Sequence, residues 1–344
     1  MNAKLAMLDE AIAARGGPDA LLKRSQRDLL QGPSEPTPMR ALDVAELAKM
    51  PFKTREPLLE PWLCSQDLTM VFAARGIGKT HFALAASYAI ATGGRFAKWQ
   101  APQARKVLYL DGELPGAVMQ RRLQMHCPDV DSQPGYLRVF TPDLVPEGSS
   151  LPDLSTREGH SVIDGMIEHD TALVVVDNLS AWARSGRENE AESWHPIAEW
   201  MLSLRRRGIA VMLVHHAGKG GQQRGTSKRE DLLDAVIGLS RPKDYDPRDG
   251  AVFVAEFTKA RNLVGGEDAE SIELRLEGTE DRATWNWRTV EASTFDRVVR
   301  LANDGLSQAE IAHELEIHKS NVSRHMSSAR EQGLVKGGAK EAKQ

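Results

Sequence analysis

The chain has 344 residues, 41% of them hydrophobic and 27% charged, the balance of a soluble globular protein of about two domains. Its longest apolar runs, residues 172–176 and 209–214, fall far short of the ~20 residues that cross a bilayer, and Met1-Asn2-Ala3-Lys4 opens no signal block, so a cytoplasmic location with no membrane partner is expected. The net charge of −4 argues against a surface coated with base for gripping duplex DNA, and two distant cysteines, Cys64 and Cys127, exclude a disulfide framework or zinc knuckle.

Residues 1–32 alternate apolar and charged positions at helical spacing, broken by Gly16-Gly17-Pro18 into two short helices. Pro33, Pro36 and Pro38 make the next stretch a linker, so residues 1–50 read as a helical arm. From Leu68 the pattern becomes short strands alternating with helices. Strands are expected at Leu68–Ala73, Lys106–Asp111, 172–177, 209–214, 235–239 and 251–258, and helices at 80–92, Gly116–His126, 159–169 and 190–207. The first four strands are apolar almost throughout, as in a parallel sheet covered on both faces. The alternation predicts a doubly wound α/β domain over residues 51–290, closed by antiparallel strands near 271–276 and 283–287. Residues 293–336 read as a small all-helical module, and 337–344 as a disordered tail.

Ala73-Ala74-Arg75-Gly76-Ile77-Gly78-Lys79-Thr80 lies where the first strand ends and an Ala-rich helix begins. In that context the backbone N–H groups of Arg75, Gly76, Ile77, Gly78, Lys79, Thr80 and His81 would wrap a phosphate at the positive end of the helix. Lys79 would reach the β- and γ-phosphates of ATP, and the Thr80 hydroxyl would ligate Mg²⁺. Ala73 stands where the strict pattern has its first Gly.

Three further strand ends supply polar groups. Asp177, ending an apolar strand placed beside the P-loop strand, would hold Mg²⁺ through its water shell. Glu113, just past the strand that ends in Asp111, is the candidate general base, with Asp111 as the fallback. His215 and His216 end a fourth strand; adjacent residues point to opposite faces, so one of them can meet the γ-phosphate.

These residues, with Leu213-Val214-His215-His216-Ala217-Gly218-Lys219, resemble the RecA-fold ATPases of the plasmid RepA helicase type and, more distantly, DnaB-type replicative helicases. The match spans about residues 60–265. The resemblance implies Glu113 as catalytic base, Asp177 as the Walker B acid and His216 as the γ-phosphate sensor. It also implies a homo-oligomeric ring, a hexamer, in which a neighbour supplies a cation to each ATP site. Thr258-Lys259-Ala260-Arg261-Asn262 resembles the element that does so in DnaB-type helicases, which places the finger at Arg261 with Lys259 assisting. The RepA-type position for that arginine holds Asp234 instead. A guanidinium against the spreading γ-phosphoryl charge is worth ~10³–10⁵ in rate.

Residues 217–229 hold Lys219, Arg224, Lys228 and Arg229, four glycines and no acid. Such a loop suits single-stranded DNA held by its backbone. Arg184 and Arg187 form a weaker second candidate. In the C-terminal module Ser307 and Glu310 form a capping box, and Ile311, Ala312, Leu315, Ile317 and Val322 have the apolar spacing of a helix-turn-helix. Its second helix would present Lys319, Ser320, Asn321, Ser323 and Arg324 to duplex DNA, or to a protein partner. It resembles the winged-helix domains of bacterial regulators, with Glu316 where the turn Gly usually stands and too little chain for a full wing. The expected function is an ATP-driven DNA motor serving replication of a plasmid or mobile element. The alternative is an ATP-switched DNA-binding regulator that does no unwinding. A small-molecule kinase would need an acceptor pocket and a lid, and neither signature is present.

Overall fold

The computed structural model describes residues 39–128, 135–184, 191–217, 228–242, 245–263, 265–279 and 282–335. The helices expected within 1–32, the tail, Arg187, and Lys219 and Arg224 of the basic loop lie outside these residues. The chain divides into two units, Met1–Lys53 and Thr54–Gln344. In the first, Asp43 and Glu46 form a capping box on one short helix, α1 (Val44–Lys49), which buries none of its residues.

The second unit runs β1 (Pro57–Leu59), β2 (Leu63–Cys64), β3 (Leu68–Ala73), α2 (Lys79–Thr92), β4 (Arg95–Phe96), β5 (Trp99–Gln100), β6 (Lys106–Asp111), α3 (Gly116–His126), β7 (Leu137–Phe140), α4 (Arg157–Asp164), β8 (Thr171–Asp177), α5 (Leu179–Trp182), α6 (Ala191–Arg206), β9 (Ala210–His216), α7 (Lys228–Leu232), β10 (Ala235–Ser240), β11 (Val252–Ala260), β12 (Ile272–Gly278), β13 (Ala283–Thr289), α8 (Val290–Asn303), α9 (Gln308–Glu314) and α10 (Lys319–Glu331). A nine-stranded sheet has the order β13-β12-β11-β10-β3-β9-β8-β6-β7. From β10 to β7 the strands are parallel, and β11, β12 and β13 extend the sheet antiparallel, as the sequence leads one to expect.

Each central strand buries both faces. Val71, Tyr109, Val175 and Met212 join α2 in one apolar layer, while Met70, Leu108, Val174 and Val211 join α6 in the other. That double burial explains the unbroken apolar runs. Two expectations need correction. The Asp177 strand is not beside the P-loop strand: β9 lies between β3 and β8. The helix expected over 159–169 stops at Asp164, where Gly165 caps it, and its remainder leads into β8.

The C-terminal helices α8, α9 and α10 enclose their own apolar cluster, built on Val298, Ile311, Leu315, Val322 and Met326. The first begins at Val290, earlier than the expected 293, because β13 feeds directly into it with Thr289 as N-cap. The Ser307–Glu310 capping box is present. Glu316, at φ 47°, takes the left-handed turn conformation that favours glycine.

One buried carboxylate fastens α8 to the sheet. Glu273 of β12 is 3% exposed and accepts from Ser293 at 2.8 Å, from Arg288 at 2.8 Å and from Arg297. Burial alone would push this carboxyl up, but Arg288, Ser293 and Arg297 together hold it below its ordinary value. Its folded-state value being depressed, its stabilising contribution is present above the usual glutamate range and is lost as the pH falls through the lowered value. Breaking a buried pair from one side costs about 3–5 kcal/mol. Glu273→Ala should therefore lower the denaturant-unfolding free energy at pH 7 by about 3 kcal/mol, and the deficit should shrink on acidification below pH 4.

Candidate active site

The site opens where β3, β6, β8 and β9 end together. Parallel strands bring their carboxyl ends to one edge, so residues far apart in sequence meet around the first turn of α2. A cleft of about 490 Å³ is lined there by Arg75, Gly76, Gly78, Lys79, Thr80, His81, Glu113, Leu114, Arg122, Asp177, Asn178 and His216.

The loop between β3 and α2 needs glycine twice. Gly76 has φ 76° and Gly78 φ 126°. At Gly78 a Cβ would also sit 2.8 Å from the Phe253 ring, whereas at Gly76 nothing lies within 4 Å. Lys79 is buried and its ammonium donates to the carbonyls of Ala73 (3.1 Å) and Ala74 (3.0 Å). Burial lowers its pKa, against the pull of Asp177 and Glu113. Arg241, from the end of β10, donates to the Gly76 carbonyl at 2.7 Å and lies 3.8 Å over the Tyr245 ring, so it holds the loop from outside.

Asp177 is 5% exposed and accepts from the Tyr109 hydroxyl at 2.7 Å and from Thr80. Burial raises its pKa, and those two hydrogen bonds partly offset it. The Asp177–Asn178 peptide is cis. One hydroxyl beside one carboxylate is the donor set that suits Mg²⁺, which keeps waters and takes its other ligands from substrate phosphates. Among the described residues no cluster of three or more His, Cys, Asp or Glu could hold a metal by itself.

The two carboxylates after β6 separate cleanly. Asp111 is 1% exposed and caps its own turn, accepting from the backbone N–H groups of Glu113 (3.2 Å) and Leu114 (3.2 Å) and from the Thr141 hydroxyl (3.1 Å). Burial pushes its pKa up to about 6. It does not line the cleft; Glu113 does, with half of its side chain exposed. The Glu113 Oε1 lies 3.6 Å from His216 Nε2, and Asn178 Nδ2 lies 3.2 Å from that same nitrogen. With the amide donating, Nε2 is the acceptor and the imidazole is neutral. Burial, and then Lys79, lower the His216 pKa in the same sense. His215 points to the other face of β9 and is fully buried.

Other expected residues lie elsewhere. His81 lines the cleft, but its imidazole is turned to His126 at 2.7 Å, both rings being held neutral by burial, at about 3 and about 4. His126 stacks on Trp285 of β13. Lys259, near the end of β11, and Arg261, just past it, lie at the opposite end of the strands from the P-loop. Arg261 donates to the Asp231 carbonyl at 2.6 Å and pairs with Asp234 at 3.5 Å, and Lys259 donates to the Glu230 carbonyl. Asp234 also caps Leu68 N–H at 2.9 Å and pairs with Arg205. Lys228 and Arg229 begin α7, and of their side chains nothing is described. Lys319, Ser320, Asn321, Ser323 and Arg324 are all exposed on α10, with Arg324 paired to Glu291 at 2.9 Å. Arg122, Asn178 and Arg241 carry weight that the sequence did not suggest. Only Asn178 had a local signal, directly following the Asp177 strand.

The sequence matches the AAA domain family over residues 33–222. The chain belongs to the AAA domain family. Its P-loop and mostly parallel sheet give it the α/β core that the sequence leads one to expect. Solved structures similar to it include the RadB recombinase, with 18% identity over 64% of this chain and 91% of that one and a TM-score of 0.42. The flagellar accessory protein FlaH from Methanocaldococcus jannaschii has 11% identity over 64% and 90%, with a TM-score of 0.45. A KaiC-like protein from Pyrococcus horikoshii OT3 has 14% identity over 67% and 93%, with a TM-score of 0.46. No curated protein matches the chain. The loop takes this shape with no nucleotide present, and the two glycines predict a graded cost. Gly76→Ala should destabilise the nucleotide-free protein by ~1 kcal/mol, for its backbone alone. Gly78→Ala should cost ~2–4 kcal/mol, since the Phe253 ring must also move. Thermal or urea melts of both variants check the order.

Proposed function

We propose that this AAA-domain protein is an ATP-driven, ring-forming DNA motor of the RepA helicase type, acting in replication of a plasmid or other mobile element. The observation that carries the reading is the course of β9. It ends in His216, beside Glu113, and the next backbone N–H, that of Ala217, donates to the Ala73 carbonyl of the P-loop strand at 2.8 Å. The Lys219–Arg224–Lys228–Arg229 segment starts at that point. A change at the γ-phosphate is thereby three residues from Lys219, the first cation of a loop suited to a DNA backbone.

In this reading a phosphate of ATP takes over Lys79 from the loop carbonyls, and Thr80 and Asp177 would hold Mg²⁺, which would supply charge neutralisation for the phosphates. Glu113 takes the proton of the attacking water, and Asn178 donates to Nε2 of the sensor His216, which keeps the imidazole neutral and oriented. Arg75 and Arg122 add positive charge at the cleft from within the chain. Arg261, assisted by Lys259, reaches the site of the neighbouring protomer on exchanging its Asp231 and Asp234 partners for phosphate. The ring is a hexamer by the same resemblance.

The exposed polar and basic face of α10 favours a second reading, an ATP-switched regulator whose C-terminal helix-turn-helix binds duplex DNA without unwinding.

Lys79→Ala should abolish ATP binding. Glu113→Gln should bind ATP normally and lower turnover at least 100-fold, whereas Asp111→Asn should lower stability and reduce turnover by no more than about tenfold. Light scattering with and without ATP, combined with hydrolysis assays, tests the motor. ATP-dependent assembly and hydrolysis stimulated by single-stranded DNA support it; a monomer whose turnover ignores DNA and which displaces no strand from a fork overturns it. Footprinting of a specific duplex that survives Glu113→Gln and needs residues 293–336 would instead favour the regulator.

A further inference from the structure

The two outer strands of the sheet, β7 and β13, are unlike. Shortness, charged side chains, proline and bulges are the usual protections of an edge against pairing with another chain. β7 is four residues long and carries Arg138, which pairs with Glu168 at 3.0 Å. β13 is seven residues long and holds neither lysine nor proline. Its register against β12 runs unbroken from Ile272↔Thr289 to Gly278↔Ala283, so no bulge interrupts it. Its single charge, Arg288, is engaged by Glu273 and Asp296 of its own chain. The phase of the ladder follows from its two ends. The Val290 N–H donates to the Ser271 carbonyl at 3.1 Å, and the Thr279 N–H to the Arg282 carbonyl at 3.0 Å. Bonded pairs alternate along an antiparallel ladder. Thr284, Asn286 and Arg288 therefore bond to β12, and the main-chain N–H and C=O of Trp285 and Trp287 are turned to the outer edge.

This edge is complementary to itself. Asn286 is the midpoint of β13, so an antiparallel copy related by a two-fold axis at Asn286 pairs all seven residues. In that register the outward main-chain groups of Trp285 meet those of Trp287, as an antiparallel ladder requires. Thr284 falls opposite Arg288 and Asn286 opposite itself, so no like charges face each other. Trp285 and Trp287 lie two apart and share a face. Trp285 packs on Phe96 and Phe253, while Trp287 is 42% exposed. Docking would set each Trp287 beside the partner's Trp285, and cross-strand aromatic pairs of this kind stabilise sheets. We infer that the β13 edge is the docking site for a second copy of this chain, joined strand to strand about Asn286 so that one sheet runs through two protomers. No residue of β13 lines the ATP cleft, so this contact rests on no part of the motor reading.

The test uses the full chain without nucleotide. Sedimentation equilibrium at micromolar concentration should show self-association, and Trp287→Lys, which charges the edge, should weaken it at least tenfold. Cross-linking reads the register. Residues opposite each other in a non-bonded pair have Cα atoms about 4.5 Å apart, within disulfide reach. On mild oxidation Asn286→Cys should therefore give a covalent dimer, whereas Thr284→Cys, which faces Arg288 across the axis, should not. The unsubstituted chain, with Cys64 and Cys127 alone, sets the background. This readout needs no ATP and no ring, so its failure is distinct from failure of the motor. A monomer at that concentration, association unchanged in Trp287→Lys, or cross-linking of Asn286→Cys no stronger than that of Thr284→Cys overturns the inference.

Discussion

The cleft is built around a buried ammonium facing a buried carboxylate. Lys79 and Asp177 each have a pKa displaced by burial towards the neutral form, and each is satisfied only in part, Lys79 by two carbonyls, Asp177 by two hydroxyls. The Lys79 donors remain within the β3–α2 loop, so a phosphate competes only with neutral carbonyl oxygens for a charged donor. Charge-assisted bonds are roughly twice as strong as neutral ones. The loop is thus ready for a triphosphate without rearranging its backbone, because Gly76 and Gly78 already hold the needed dihedrals and Arg241 already fixes the Gly76 carbonyl.

The same constraint sorts the acids. A carboxylate in the cleft must be accessible and free of backbone obligations to take a proton from water. Asp111 meets neither condition, since it is fully buried and holds the turn that aims Glu113. Glu113 meets both, and its neighbour His216 is neutral, so it does not tie the carboxylate into a strong ion pair. Asn178 is the small residue on which that arrangement depends, because its amide decides which imidazole nitrogen accepts.

Much of this was legible in the chain, and the exceptions have physical reasons. Leu68–Ala73 and Lys106–Asp111 read to the residue, because a strand buried on both faces shows as an apolar run with sharp ends. Strand β7, Leu137–Phe140, did not, because at the sheet edge it is only half-buried. The P-loop residues were evident from local spacing. Strand order was not, since nothing within β8 records that β9 inserts beside β3. The spacing places the His81 backbone at the end of the phosphate loop but cannot show that its ring faces His126 on α3, a contact that exists only once α2 and α3 pack. Arg122 and Arg241 were invisible for the same reason: their roles depend on which way a helix or a strand end faces after folding.

The C-terminal helices pose the remaining physical question, which is why their attachment is ionic. They carry a self-sufficient apolar cluster, so the sheet need not supply their core. What joins them to it is Glu273 with Ser293, Arg288 and Arg297, backed by the continuous run from β13 into α8. An apolar interface would be insensitive to charge. This one is not, because it rests on one carboxylate held by two guanidinium groups and a hydroxyl. Trp285, stacked on His126, whose ring in turn meets His81 of the P-loop helix edge-on, precedes the same junction on β13. The ATP cleft and the helical unit are therefore joined by packed rings on one side of the sheet and by fixed charges on the other. A nucleotide-dependent shift of α2 would have to move both or break one.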